Sequence, residues 1–239
     1  MIKKLVLAAV VVVVVLGGAL WWFVLRDDAP EKLSVEGSGE GTTQPTGEVP
    51  EQLDGDWTIL PGGDSTVGFR ITESFASGLT DHTAVGRSSA VTGGITVEGE
   101  QVTSGQFTVD LTELEFTDSP GIPVANRANA MRNRGLQTSE FPDAVFDLTA
   151  PIDFGTTPTE GTTLDAEATG ELTLHGVTNE ITFPVQAVLR GNTITIGTNP
   201  DDLPEIVLAD YDIEPPTGGP VAEVADSGTF ELLVTVTQG

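Results

Sequence analysis

Beyond residue 54, apolar residues recur at every second position through most of the chain. Val67, Phe69 and Ile71 alternate with polar neighbours, as do Val91, Gly93, Ile95 and Val97, and then Phe107, Val109 and Leu111. Phe146 and Leu148 follow, then Leu164, Ala166, Ala168, Gly170, Leu172 and Leu174. Thr193-Ile194-Thr195-Ile196 comes after a Gly191-Asn192 turn, and Phe230, Leu232, Val234 and Val236 close the chain. A period of two puts alternate side chains on opposite faces, so each run predicts a strand with one buried and one solvated face. Thr fills many of the polar positions, as strands favour. Many short strands separated by Gly, Asp and Asn turns predict an all-β domain, an antiparallel barrel or sandwich.

The clearest unit is the stretch 169–190. Leu172 and Leu174 alternate before a reversal at His175-Gly176-Val177-Thr178-Asn179, and Ile181, Phe183, Val185, Ala187 and Leu189 alternate after it. This is an antiparallel hairpin in which Gly176 is free to take positive φ. One segment breaks the β pattern. From Pro123 to Arg134, Val124, Ala128 and Met131 fall at helical spacing. Pro123 suits a first helical turn and Gly135 the position just past the end, so one short helix is expected between strands.

The ends differ from this domain. Leu5 to Leu25 carries no charge and is long enough to cross a hydrocarbon core of about 30 Å. Trp21, Trp22 and Phe23 sit at one end of the run, where amphipathic rings favour the interface. Lys3 and Lys4 precede it, which favours an N-terminus in the cytoplasm and the remainder outside. A cleaved signal peptide is the rival, but the run is longer than a typical signal core and ends on Trp-Trp-Phe-Val-Leu-Arg, a poor cleavage site. Residues 1–26 are therefore read as a single-pass anchor in the cell membrane. Residues 27–53 are rich in Gly, Ser, Thr, Glu and Pro and read as a flexible acidic linker unable to bury a core. Residues 54–239 are enough for one domain with a substantial core.

Charge and chemistry narrow the function. All 36 acidic residues follow Arg26, against only Lys32, Arg70, Arg87, Arg127, Arg132, Arg134 and Arg190. Such a surface repels nucleic acid, which is excluded as a partner. The chain has no cysteine, which removes disulfides and thiol chemistry. Its two histidines, His82 and His175, form no catalytic constellation. His175 reads as a turn or capping residue and Asp81-His82-Thr83 as an exposed loop. No phosphate-cradling Gly-rich motif is present, and no cofactor or metal is expected. These features describe a protein that binds rather than catalyses. Arg127, Arg132 and Arg134 cluster within the expected helix. They either neutralise nearby carboxylates or form a cationic lip for a ligand head group at a barrel mouth.

The wording of the strands resembles the YceI-like family of lipocalin-like, lipid-binding barrels. Residues 169–185 resemble its GxLTLHGVTxxVTFPV hairpin. Thr83–Ser88 with Val91–Val97 resembles its early strands, and Phe107–Leu114 its FTVDMTxL strand. Met131–Leu136 followed by Phe141–Phe146 resembles MRGRxLxTxxFPxAxF, and Asp210-Tyr211-Asp212-Ile213 with Pro215 and Pro216 resembles a late DYGIxxP loop. The set occurs in order across roughly residues 54–238. Two departures stand out. Arg127 is followed by Ala128 where the family often has Arg-Asp, and Asp212 stands where Gly is usual.

The resemblance implies an eight-stranded antiparallel barrel with the helix near one end. Its lumen would hold a long apolar ligand, a polyisoprenoid or an isoprenoid-quinone-like lipid. A barrel of this size has room for one ligand. The implied walls are Phe69, Ile71, Val91, Ile95, Phe107 and Val109 on the early strands. Met131, Leu172, Leu174, Phe183 and Val185 continue them. Alternation alone cannot tell such a wall from a solid core, so an anchored adhesion or interaction module with a filled interior stays open. The identity of the lipid and the oligomeric state are not encoded in these patterns.

Overall fold

The computed structural model describes residues 29–37, 47–121, 124 and 126–238. The expected membrane span and Pro123 lie outside them. The strands run β1 (Gly55–Ile59), β2 (Thr66–Phe75), β3 (His82–Ser88), β4 (Val91–Glu98), β5 (Gln101–Asp110) and β6 (Glu115–Phe116). After a short helix α1 (Arg127–Ala130) come β7 (Asp143–Leu148), β8 (Ile152–Asp153), β9 (Thr163–Leu174), β10 (Val177–Arg190), β11 (Thr193–Thr198), β12 (Glu205–Val207) and β13 (Val221–Gln238).

Every strand pairing is antiparallel, and the sheet closes on itself. Around the ring run β1, β4, β5, β7, β9, β10, β11 and β13, and β1 pairs with both β4 and β13 to complete it. The result is a closed eight-stranded barrel. The long β13 serves two segments along one edge: its C-terminal half pairs β1 and its N-terminal half pairs β2. The alternating residues face inward. Trp57, Ile95, Val97, Val102, Phe183, Val185, Ile196, Val234 and Val236 belong to one buried cluster. Trp57 is fully buried and donates its indole N–H to the Leu53 carbonyl at 2.9 Å.

Two local expectations are corrected. The hairpin loop is only His175-Gly176, since Val177 already pairs with Leu174. Both residues take positive φ, 52° and 76°, the pattern of the tight turn that matches strand twist. The helix begins at Arg127, not Pro123, because Asn126 stands at φ 68°, in the left-handed region that no right-handed helix can include. Val124 is therefore outside it. Past Ala130 the chain widens into a π turn, Met131–Gly135, closed by the Leu136 N–H on the Met131 carbonyl at 2.8 Å. Gly135 lies inside that turn. A Cβ there would stand 3.2 Å from Pro216, so glycine permits close packing, and Gln137 takes the positive φ of 47°.

The linker reading fails for residues 29–37. This segment lies against the outer wall of the barrel. Val35 is fully buried against Val188 and Leu233, with Leu33 beside it. β11 is buried along its whole length, on both faces. Glu231 points outward on β13 yet is 0% exposed. Arg70 Nε and Arg87 Nε each donate to it at 2.9 Å, and the Leu33 N–H reaches it at 3.2 Å. The same two arginines donate to the Pro30 and Glu31 carbonyls, and Arg190 donates to the Val35 carbonyl at 3.0 Å. Two apolar side chains and a set of charge-assisted hydrogen bonds thus order a stretch too polar to form a core of its own.

Replacing Val35 by Ala removes two methyl groups from a fully buried site, a loss of about 1.5 kcal/mol. Removing the segment costs more. Thermal melts of residues 29–239 and 54–239 are expected to differ, the shorter fragment melting lower by several degrees. Equal midpoints would show that the segment adds nothing.

Candidate ligand-binding lumen

The inward faces do not fill the barrel. A cavity of about 510 Å³ runs inside it, a size typical of sites that enclose a small organic ligand. Its wall is overwhelmingly apolar. Phe69 and Ile71 of β2, Phe107 and Val109 of β5, Leu172 and Leu174 of β9, and Phe183 and Val185 of β10 all line it, with Ile95 and Met131. Phe183 sits between two other rings, with centroids 5.5 Å from Phe146 and 5.0 Å from Phe230, both edge to face. Edge-to-face pairs of this kind favour defined ring positions. Val91 differs from its expected neighbours: it is buried in the core cluster but does not line the cavity.

The Arg127, Arg132 and Arg134 cluster does not form a common lip. Arg132 is turned away from the cavity and donates to the Leu114 carbonyl at 2.8 Å and the Asn129 side chain at 3.1 Å. Arg134 lies at the exposed rim and donates to the Thr217 carbonyl at 3.1 Å, tying the π turn to the 213–220 loop. Arg127 is buried in the wall, its side chain 4% exposed.

Arg127 anchors a polar cluster that the sequence did not announce. Its Nη1 lies 2.8 Å from Asp118 Oδ2 and its Nη2 pairs with Glu73. His82 Nε2 meets the same Asp118 oxygen at 2.8 Å, and the Val85 N–H donates to the other oxygen. The guanidinium carbon stands 3.7 Å from the centroid of the Phe116 ring. So the Arg–Asp interaction is made with Asp118, nine residues earlier, and not with a neighbour at the helix start. His82 is buried at the head of β3, not exposed in a loop.

Burial alone pushes the Asp118 carboxyl up, but hydrogen bonds from Arg127, His82 and Val85 outweigh it and hold it below the ordinary carboxylate range. Burial wins at Glu73 and pushes its carboxyl up, against the attraction of Arg127. Glu73, His82 and Asp118 bring their ligating atoms within 4.8 Å of one another, a spacing that suits a metal. The Arg127 guanidinium already supplies the cation between the two carboxylates. Of the guanidinium nitrogens of Arg127, Nη1 donates to Asp118, Nη2 meets Glu73 as an ion pair, and the buried Nε has no hydrogen-bond partner. Leaving such a group unsatisfied costs about 1–3 kcal/mol.

The sequence carries a signal for Glu73. Val67, Phe69, Ile71, Glu73 and Phe75 share one phase of β2, so a carboxylate stands on the apolar face. A buried polar group, more than an exposed apolar one, is the informative exception.

The two family loops named by the sequence meet at this end of the barrel. His175 Nδ1 lies 3.0 Å from the Tyr211 carbonyl, which can only accept, so Nδ1 carries the hydrogen. The Phe141 ring stands 4.6 Å from the imidazole. Burial raises the Tyr211 hydroxyl above its ordinary value. Asp212 takes a φ of 52°, the left-handed conformation that explains why glycine suits this position; Asp tolerates it better than most residues. His175 is thus a turn residue that fastens one loop to another.

Comparison with known proteins agrees with this architecture. The model of the YceI-like domain matches residues 57–236. Among solved structures, a polyisoprenoid binding domain from Saccharophagus degradans, implicated in plant cell wall breakdown, is 16% identical with a TM-score of 0.59, covering 78% of this chain and 99% of that one. BcnA of Burkholderia cenocepacia is 17% identical with a TM-score of 0.50, covering 72% of this chain and 96% of that one. At these identities the likeness speaks for the fold. A search of the curated proteins found no match. A closed barrel around an apolar lumen, and a domain match spanning nearly all of it, establish that the chain belongs to the YceI-like family.

Proposed function

We propose that the protein carries or stores a long apolar lipid of the isoprenoid class in its barrel lumen, outside the cytoplasm and tethered to the cell membrane by residues 1–26. The observation that carries the reading is the lumen: about 510 Å³ of space walled by aliphatic and aromatic side chains. Burying hydrocarbon stabilises a complex by about 0.8 kcal/mol per CH₂, so ten enclosed carbons supply roughly 8 kcal/mol before ordering costs. An extended chain gains most from such a wall, because it needs few directional contacts. The Saccharophagus degradans neighbour, described as binding polyisoprenoid, supports the same ligand class.

The rival, an anchored interaction module, calls for a filled interior, and the cavity counts against it. Catalysis finds no support either, since the polar cluster beside the lumen pairs largely within itself. The anchor rests on the uncharged run from Leu5 to Leu25 behind Lys3 and Lys4.

Solvent extraction of the purified protein, followed by mass spectrometry, is expected to yield about one long-chain isoprenoid per barrel. Folded protein from lipid-rich cells that yields none, and that binds no added polyprenyl lipid, would sink the carrier reading. Leu172→Trp, which fills the lumen from a half-buried lining position, is expected to lower lipid affinity at least tenfold while the circular dichroism spectrum stays that of a β protein. N-terminal sequencing of the native protein is expected to begin at or next to Met1; a start near residue 27 would replace the anchor with a cleaved leader.

A further inference from the structure

The lumen opens at one end. Among the described residues, those that both line the cavity and are exposed are Asn126, Arg134, Gly218 and Gly219. They border α1 and the 213–220 loop, at the end where Phe75 of β2 pairs with Val221 of β13. The opposite end holds the β4–β5 and β10–β11 turns and the pairing of Gln238 with Trp57. Val102 and Ile152, which line the cavity toward that end, are buried.

Residues 29–37 cross the outer wall in one direction between these ends. Pro30 and Glu31 lie nearer the mouth. Their carbonyls accept from Arg70, which pairs with Thr229, and from Arg87, which is level with Glu231. Val35 lies farther from it, against Leu233, and its carbonyl accepts from Arg190. Gly47 stands against Asn192, in the β10–β11 turn. The segment therefore starts on the mouth side of the wall and runs away from the mouth.

Only Arg26, Asp27 and Asp28 separate this docked segment from Leu25, the last residue of the uncharged run. The four steps from Leu25 to Ala29 span at most about 14 Å. From the level of Arg70 to Phe75, at the mouth, is about 13 Å along the barrel axis once the tilt of the strands is allowed for. From the same level, at Thr229, to Gln238 at the far end is about 23 Å. Three residues can bring the mouth to a bilayer surface and are too short to bring the far end there.

We propose that the docked segment 29–37 turns the mouth of the lumen toward the membrane surface, so that an apolar chain crosses a short gap between bilayer and lumen. The inference rests on the anchored-carrier reading and adds the face that meets the bilayer. The rim carries Asp210, Asp212 and Glu214, three exposed carboxylates that are costly to bury, so the mouth faces the head groups without entering the hydrocarbon.

The chain has no cysteine, so single labels can be placed at will. Thr217→Cys marks the mouth and Glu98→Cys the far end, both at exposed positions. Each full-length variant carries a fluorophore and is reconstituted into phosphatidylcholine vesicles that contain a lipid with a spin-labelled head group, a short-range quencher. The label at position 217 is expected to be quenched at least twice as strongly as the label at position 98. Val35→Asp places a charge against Val188 and Leu233 and undocks the segment; it is expected to bring the two labels within about 30% of each other. Should that variant not fold, the comparison of the two labels decides alone. Equal quenching, as for a barrel lying on its flank, or stronger quenching at position 98, or none at either label in protein that floats with the vesicles, overturns the orientation and leaves the anchored carrier standing. An unchanged difference in a folded Val35→Asp overturns the role of residues 29–37. Protein that does not float with the vesicles overturns the anchor and this inference with it.

Discussion

The closure of one sheet upon itself governs the rest of this structure. A single layer of strands must bury its apolar face against something, and here it buries it against its own opposite wall. β1 completes the ring by pairing with β4 on one side and β13 on the other. Closure pairs both edges of each ring strand, edges that in an open sheet are prone to pair with other chains, while β2, β3 and β6 extend from β13 beyond the ring. It also fixes the width of the interior. Eight strands leave a space that side chains nearly fill, and whether a lumen survives depends on their size and rotamers. In this chain the three rings of Phe146, Phe183 and Phe230 stand edge to face and leave a cavity beside them. Gly170, on the inner face of β9, contributes: a Cβ there would come within 2.5 Å of the Phe146 ring.

The same constraint explains which parts were legible in the sequence. A wall with one wet and one dry face writes its period directly into the chain, so β2, β4, β5, β9, β10 and β13 could be read from alternation. What alternation cannot encode is the distance between opposite walls, so it could not distinguish a lumen from a packed core. Val91 shows the limit: it has the phase of a lining residue, but the cavity does not reach it. The short strands β6, β8 and β12 hold two or three residues each and carry no period at all.

Breaks in the period held the remaining information. Ala187-Val188-Leu189 and Leu232-Leu233-Val234 are apolar without alternation, and an isolated barrel wall has no use for such runs. They mark where the outer face is dry, because residues 29–37 cover Val188 and Leu233. Glu73 breaks the period in the opposite sense, a carboxylate among inward apolar positions, and marks the polar cluster. Read by composition, residues 29–37 looked like tether; their contacts lie more than 30 residues away, beyond the reach of any local pattern.

Charge gives the fold a further constraint. With 36 acidic residues in the chain, each cation beyond Arg26 acts as a fastener. Arg70 and Arg87 hold Glu231, Arg127 holds Asp118 and Glu73, and Lys32, Arg132, Arg134 and Arg190 bind backbone carbonyls. None is left to form a basic face. A barrel of this kind is repelled by anionic head groups at long range, even though its lumen is built for hydrocarbon. In the proposed carrier, loading from a membrane then requires a force other than surface charge to keep the barrel near the bilayer. In the proposed arrangement the uncharged run from Leu5 to Leu25 supplies that force. In the proposed carrier, the acidic surface and the N-terminal run are complementary: the one keeps the barrel off the lipid surface, the other keeps it within reach.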